Sequence, residues 1–106
     1  MHFLVAALLA QAVPPPVPVA ATPAQDLFEK HCVFCHGADG KGQTRKGKEL
    51  KAPNFTSARF QKHTTDLEMV EAVTDGIPKH KMPAFKDKLS SAEIASLANY
   101  VRSFRK

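Results

Sequence analysis

The only two cysteines of the chain, Cys32 and Cys35, stand three apart with His36 directly after the second, in the stretch HCVFCHG. A pair at this spacing is compatible with four chemistries: a disulfide, a redox-active dithiol, half of a zinc site, or an anchor for haem. Structural zinc usually takes four ligands from two paired clusters, and no second Cys or His pair at finger spacing exists here. A disulfide between residues three apart closes a very small loop and constrains little of the unfolded chain. A thioredoxin-like pair expects a βαβ context, whereas no alternating strand pattern can be read. The Cys-x-x-Cys-His order itself fits covalent haem attachment. On a helical turn Cys32 and Cys35 face one way, so both sulfurs can bond to the vinyl groups on one porphyrin edge. His36 then reaches the iron from one side. A dithiol or disulfide module remains the alternative.

The elements that position this motif are helical. Thr22-Pro23-Ala24-Gln25 reads as a helix start, with Thr22 as cap, Pro23 at the first helical position and Gln25 completing a capping box. Ala24, Leu27, Phe28, His31 and Cys35 then recur on one face, so the first helix runs into the motif. A middle helix opens at Thr65 with Glu68 as its box partner, directs Leu67, Val70 and Val73 inward, and stops at Gly76. Its other face, with Glu68, Glu71 and Asp75, is acidic. A last helix starts at Ser90 with Glu93 as box partner and Leu89 and Ile94 as a hydrophobic staple. Ile94, Leu97, Val101 and Phe104 form its apolar stripe, Tyr100 flanks it, and Arg102, Arg105 and Lys106 complement the dipole at its end. Loops marked by glycine and proline fill residues 37–42, 51–55 and 75–85. The fold class that follows is a small all-α domain with three main helices and long loops.

The chain has 106 residues, enough for one domain. An apolar run from Phe3 to Ala10, ending in Ala10-Gln11-Ala12, fits a secretory signal peptide over 1–12. It is far shorter than the ~20 apolar residues of a membrane span. Five of the eight prolines lie between Val13 and Pro23, which predicts a proline-rich linker over 13–22. The folded domain is then 23–106, small enough to need a staple, a metal or a cofactor to complete its core. Every charged residue falls in it, for a net charge of +5. The basic residues are not interleaved with aromatics as a nucleic-acid surface would have them, so no nucleic-acid partner is expected. A membrane tether is expected only if the N-terminus stays uncleaved.

The stretches CVFCHGADGKG (32–42), KMPAF (81–85) and LANYV (97–101) together resemble the monohaem class I cytochromes c, over about residues 23–104. In that family a small residue and an aromatic on the first helix pack against a Leu and an aromatic on the last. Ala24 and Phe28 match the first pair, Leu97 and Tyr100 the second. The resemblance implies one covalent haem c wrapped by helices and loops, with thioether links at Cys32 and Cys35 and His36 as an axial iron ligand. For the other axial position the candidates are Met69, Met82, His31, His63 and His80. Met69 suits core packing inside the middle helix, His31 lies beside the motif on the attached side, and His63 suits a solvated position before a helix. Met82, between Pro78 and Pro83, matches the family's methionine-ligand loop, with His80 as its rival. Pro53 matches the position whose carbonyl orients the histidine ligand, a usual kind of partner for such a ring.

The expected function is that of a soluble, exported, periplasmic one-electron carrier in a bacterium, not an enzyme. Histidine–methionine ligation favours ferrous iron relative to bis-histidine ligation. Lys79, Lys81, Lys86 and Lys88 around Met82, with a second basic block from Lys41 to Lys51, suit a redox partner with an acidic docking patch such as an oxidase, a dehydrogenase or another cytochrome. The competing function, a ligand-binding or peroxidase-like haem protein, requires an open iron face.

Overall fold

A computed structural model describes residues 22–106. The expected signal peptide 1–12 and all of the linker but Thr22 lie outside the described residues. Six helices follow in order: α1 Ala24–His31, α2 Val33–His36, α3 Arg45–Leu50, α4 Ala58–His63, α5 Asp66–Asp75 and α6 Ser91–Arg102, with a 3₁₀ turn Pro78–His80 before the last. No strand occurs among the described residues beyond a single antiparallel bridge between Ile77 and Met82. The three longest helices, α1, α5 and α6, are those expected from the sequence. α3 and α4 fall between the expected loops, where no helix was expected.

Both expected capping boxes on α5 and α6 form. Thr65 Oγ1 accepts from Glu68 N at 3.1 Å while Glu68 Oε1 accepts from Thr65 N at 3.0 Å, and Ser90 and Glu93 repeat the exchange at 3.1 and 2.9 Å. The start of α1 differs. Its N-cap is Pro23, with φ −53° and ψ 139°, and no side chain caps it. With its extended ψ, Pro23 is the last residue before the helix, so Thr22 lies one position too early to cap it, and the Gln25 amide donates instead to Glu29, 3.3 Å away on the next turn. Thr22 and Gln25 are exposed, so water satisfies the first amides in place of a box.

The core lies where α1 and α5 pack against α6. Phe28 of α1 is 1 % exposed and Leu97 of α6 2 %, so these two side chains are the centre of the crossing. Phe28 meets Tyr100 at 5.0 Å and Phe104 at 5.4 Å between ring centroids, extending the contact past the end of α6. Burial of such an aromatic makes Phe28→Ala a loss of about 3–5 kcal/mol. Leu89 and Ile94 are both buried, as a staple requires, and Ala98 joins the α6 stripe. On α5 Met69 is buried and Val70 and Val73 pack against the core as expected, while Leu67 is 65 % exposed. The expected inward position of Leu67 is therefore corrected: two residues before Met69, it points almost oppositely on a helix.

Candidate haem site

The cysteine motif sits on the short helix α2, held from one side by α1 and from the other by α3. Cys32 N donates to Phe28 O at 2.8 Å, and His36 N to Cys32 O at 2.9 Å. Cys32 itself leaves helical geometry, with φ −117° and ψ −29°, so α1 bends there rather than running on straight. Thr44, the N-cap of α3, places its hydroxyl 2.8 Å from Phe34 O and 2.9 Å from Cys35 O and accepts from Gly47 N at 2.9 Å. Gly47 lets α3 approach this closely, since a Cβ there would land on the carbonyls of Cys35 and Gly42. Thr44 and Gly47 thus fix the carbonyl side of the motif, and the sequence reading assigned neither. A glycine inside a helical stretch was the available signal, because it often marks a close backbone approach.

Both thiols are free and half-buried. Burial, helped by the neighbouring Cys35, pushes the Cys32 thiol up to about 11, so at neutral pH it is protonated and a poor thiolate nucleophile. Burial likewise holds the His36 imidazole below its ordinary pKa. It is therefore neutral at pH 7, the form in which a ring nitrogen can ligate a metal. His36 Nδ1 is buried with no hydrogen-bond partner among the described residues, an arrangement that costs about 1–3 kcal/mol in a purely structural role. One face of the ring stacks on Phe55, 4.7 Å between centroids and 20° between planes.

Cys32, Cys35 and His36 open onto a cavity of about 750 Å³, within the range of cofactor pockets. Met82, His80, Met69 and Pro53 line it as well, so the structure brings the expected ligand, its rival and the expected orienting residue to one place. His31 borders it too, its ring edge-on to Phe85 at 5.4 Å. His63 does not line it; it ends α4 and is exposed. Pro53 makes no hydrogen bond with His36; its carbonyl lies against Gly42, 2.8 Å from where a side chain there would begin. The donor set fits haem: two thiols three apart, one neutral imidazole with an unpartnered nitrogen, a thioether across the cavity and an apolar lining. No group of three or more His, Cys, Asp or Glu suited to a bare metal ion occurs among the described residues.

The loop carrying Met82 is tied back on itself. Ile77 and Met82 exchange both backbone bonds, at 3.0 and 3.2 Å, and Lys81 takes the left-handed conformation at φ 58° to close the turn. Gly76 starts the loop at φ 72°, and a Cβ on it would meet Met82 O at 2.6 Å. Phe85 N to Val73 O at 2.9 Å returns the chain to α5. Met82 is half-buried, whereas His80 is exposed.

Residues 19–101 match the protein family described as cytochrome C oxidase, cbb3-type, subunit III. Cytochrome c6 of Leptolyngbya boryana is 41% identical over 71% of this chain and 81% of its own length. The chain belongs to the class I cytochrome c family. As a monohaem member it takes one covalently bound haem c. The cbb3-type cytochrome c oxidase subunit FixP of Bradyrhizobium diazoefficiens is 31% identical over 78% of the chain, but the match spans only 27% of that subunit. Among solved structures, the KustC0563 c-type cytochrome superposes with a TM-score of 0.75 at 36% identity, covering 80% of this chain and 100% of that one. The all-α fold of this cytochrome is thus shared with c-type cytochromes, and no helix among the described residues is long and apolar enough to cross a membrane.

Proposed function

We propose that this cytochrome is an exported one-electron carrier whose haem is held by Cys32 and Cys35 and ligated by His36 and Met82. The single observation that supports it best is the convergence of both thiols, the neutral imidazole and the Met82 loop on one apolar cavity. Haem c supplies there a reversible ferric–ferrous couple. Cys32 and Cys35, bound as thioethers, keep the group in place without reliance on affinity. His36, neutral and backed by Phe55, offers a nitrogen lone pair from one side, and Met82 a soft sulfur from the other. If His36 and Met82 both held the iron, oxygen and peroxide would be kept off it, and the chemistry supplied would be electron transfer and not catalysis. Pro53, already on the cavity wall, is the residue whose carbonyl could accept the Nδ1–H of His36.

A signal peptide over 1–12 and a linker over 13–22 fit delivery to the bacterial periplasm. Lys79, Lys81, Lys86 and Lys88 are all exposed around Met82, and α5 exposes Glu68, Glu71 and Asp75. This polarity suits encounter with an acidic patch on a redox protein. The likeness to cbb3-type subunits favours a second reading, in which the domain serves an oxidase as part of a larger assembly; the match spans about a quarter of the length of those relatives.

The test is spectroscopic. A pyridine haemochrome spectrum of protein matured in a competent host is expected to show one haem c per chain. The oxidised protein is expected to show a methionine-to-iron charge-transfer band, lost in Met82→Ala and kept in His80→Ala. Reduced wild type should resist carbon monoxide and Met82→Ala should bind it; prompt binding by wild type overturns the carrier reading. Electron transfer to an acidic partner should slow as salt is raised, and a rate indifferent to ionic strength removes the docking claim.

A further inference from the structure

Gln61 is the one buried polar residue in the described structure, 9 % exposed, and it sits on α4 close behind the cavity. Its amide is fully used. Nε2 donates to Phe55 O at 2.7 Å and to Val101 O at 3.0 Å, and Oε1 accepts from Arg102 Nη1 at 2.9 Å. Only this amide orientation is chemically possible, because two carbonyls demand the NH₂ and a guanidinium demands the oxygen. Arg102 uses four of its five N–H donors. Nη1 also donates to Gln61 O at 2.8 Å, Nη2 to Thr64 O at 2.6 Å and Nε to Asp66 Oδ1 at 2.8 Å. The guanidinium therefore binds the end of α4, the start of α5 and its own helix α6 together. Gln61 extends that junction to the backbone of Phe55, whose ring lies flat on His36.

Satisfied buried networks of this kind hold a unique arrangement, because any slip strands a polar group without water. Phe55 is pinned twice more, by its own N–H to Gly40 O at 2.8 Å and by ring contact with Phe60 at 5.0 Å. A stacked ring restricts rotation of the imidazole about its Cβ–Cγ bond. We infer that Gln61 and Arg102 are positioning residues that fix the plane of the His36 imidazole through Phe55. This rests on His36 being the axial ligand. The orientation of an axial imidazole plane sets how unpaired spin is distributed over an oxidised haem, so it can be read without any activity assay.

The experiment uses the full haem-loaded chain and records haem-methyl proton shifts of the oxidised form together with the midpoint potential. The variants are Gln61→Leu, Gln61→Glu and Phe55→Leu, with Ile94→Val as a core change that leaves every hydrogen bond of the Gln61–Arg102 network in place. Gln61→Glu keeps the acceptor for Arg102 but loses both donors, so it isolates the link to Phe55. All three relay variants are expected to change the pattern of methyl shifts in the same sense and to move the potential. Ile94→Val should lower thermal stability and leave both readouts at wild type. If Gln61→Leu fails to mature, Gln61→Glu and Phe55→Leu carry the comparison. Wild-type methyl shifts and potential in Gln61→Glu and Phe55→Leu overturn the inference and leave the network a structural clamp alone. A wild-type spectrum without low-spin histidine ligation instead overturns the ligand assignment beneath it.

Discussion

The two walls of the cavity are built differently. On the attachment side, α2 is gripped by its own helical bonds, by the Thr44 hydroxyl on two carbonyls and by the close approach of α3 at Gly47. On the Met82 side, a mostly exposed loop closes on itself through one two-bond bridge and returns to α5 by two backbone bonds, from Phe85 and Lys86. Segments with few buried contacts and exposed hydrogen bonds open most readily. The proposed histidine ligand thus stands on the more firmly held wall, and the proposed methionine ligand on the more easily opened one. Ligand exchange at the iron is therefore expected on the Met82 side, where His80 stands two residues away.

The largest expected effect comes from removing the anchor. Cys32→Ala combined with Cys35→Ala should abolish covalent haem, read as complete loss of haem stain under denaturing electrophoresis. Next comes Gly47→Ala on the rigid wall. A Cβ there meets backbone on both sides with nowhere to relax, which overpacking data put at about 3 kcal/mol. Denaturant unfolding should show that loss, and maturation yield should fall with it. Gly76→Ala strikes the flexible wall, forcing an alanine to φ 72° against Met82 O. The backbone cost is about 1–2 kcal/mol, smaller than at Gly47, yet the methionine-to-iron band should weaken far more than global stability does. Equal losses of band and stability in both glycine variants would erase the distinction between the walls.

The smallest effect is a pH dependence at the start of α5. Hydrogen bonds from Thr65, its backbone first, hold the Glu68 carboxyl below its ordinary value of 4.5. The charged form is thus favoured by folding, so its contribution is whole above 4.5 and fades as pH falls through the lowered folded value. Glu68→Gln should lower stability by a roughly constant amount above 4.5 and converge with wild type in acid, so the acid-side slope disappears from the unfolding profile. Since α5 carries Met69 and leads into Gly76, the Met82 band should follow the same slope more closely than haem retention does.

Much of this was legible because it is local. The capping exchanges at Thr65–Glu68 and Ser90–Glu93, the Leu89–Ile94 staple and the Cys-x-x-Cys-His turn each depend on residues within five positions, which a sequence displays directly. The short helices α3 and α4 were not legible. Six residues are too few to stabilise a helix alone, and both exist because they are held against α2 and α6. Arg102 read as a charge near a helix end, but its partners are Gln61, Thr64 and Asp66, at least 36 positions away. Leu67 read as core because its spacing permits it, and is exposed because the face of α5 turned to the core carries Met69, Val70 and Val73 instead.

The sequence by itself determined the chemistry on offer: two thiols and an imidazole on one helical turn, a thioether in a proline-bounded loop, and the helices that carry them. Rotamer spacing and capping are settled within a few residues, so no tertiary information was required. Only the tertiary structure decided which of five candidate ligands border the cavity, which glycine makes room for the motif, and which buried amide holds Phe55 against His36. Those are contacts between segments far apart in the chain, and their geometry exists only once the core has packed.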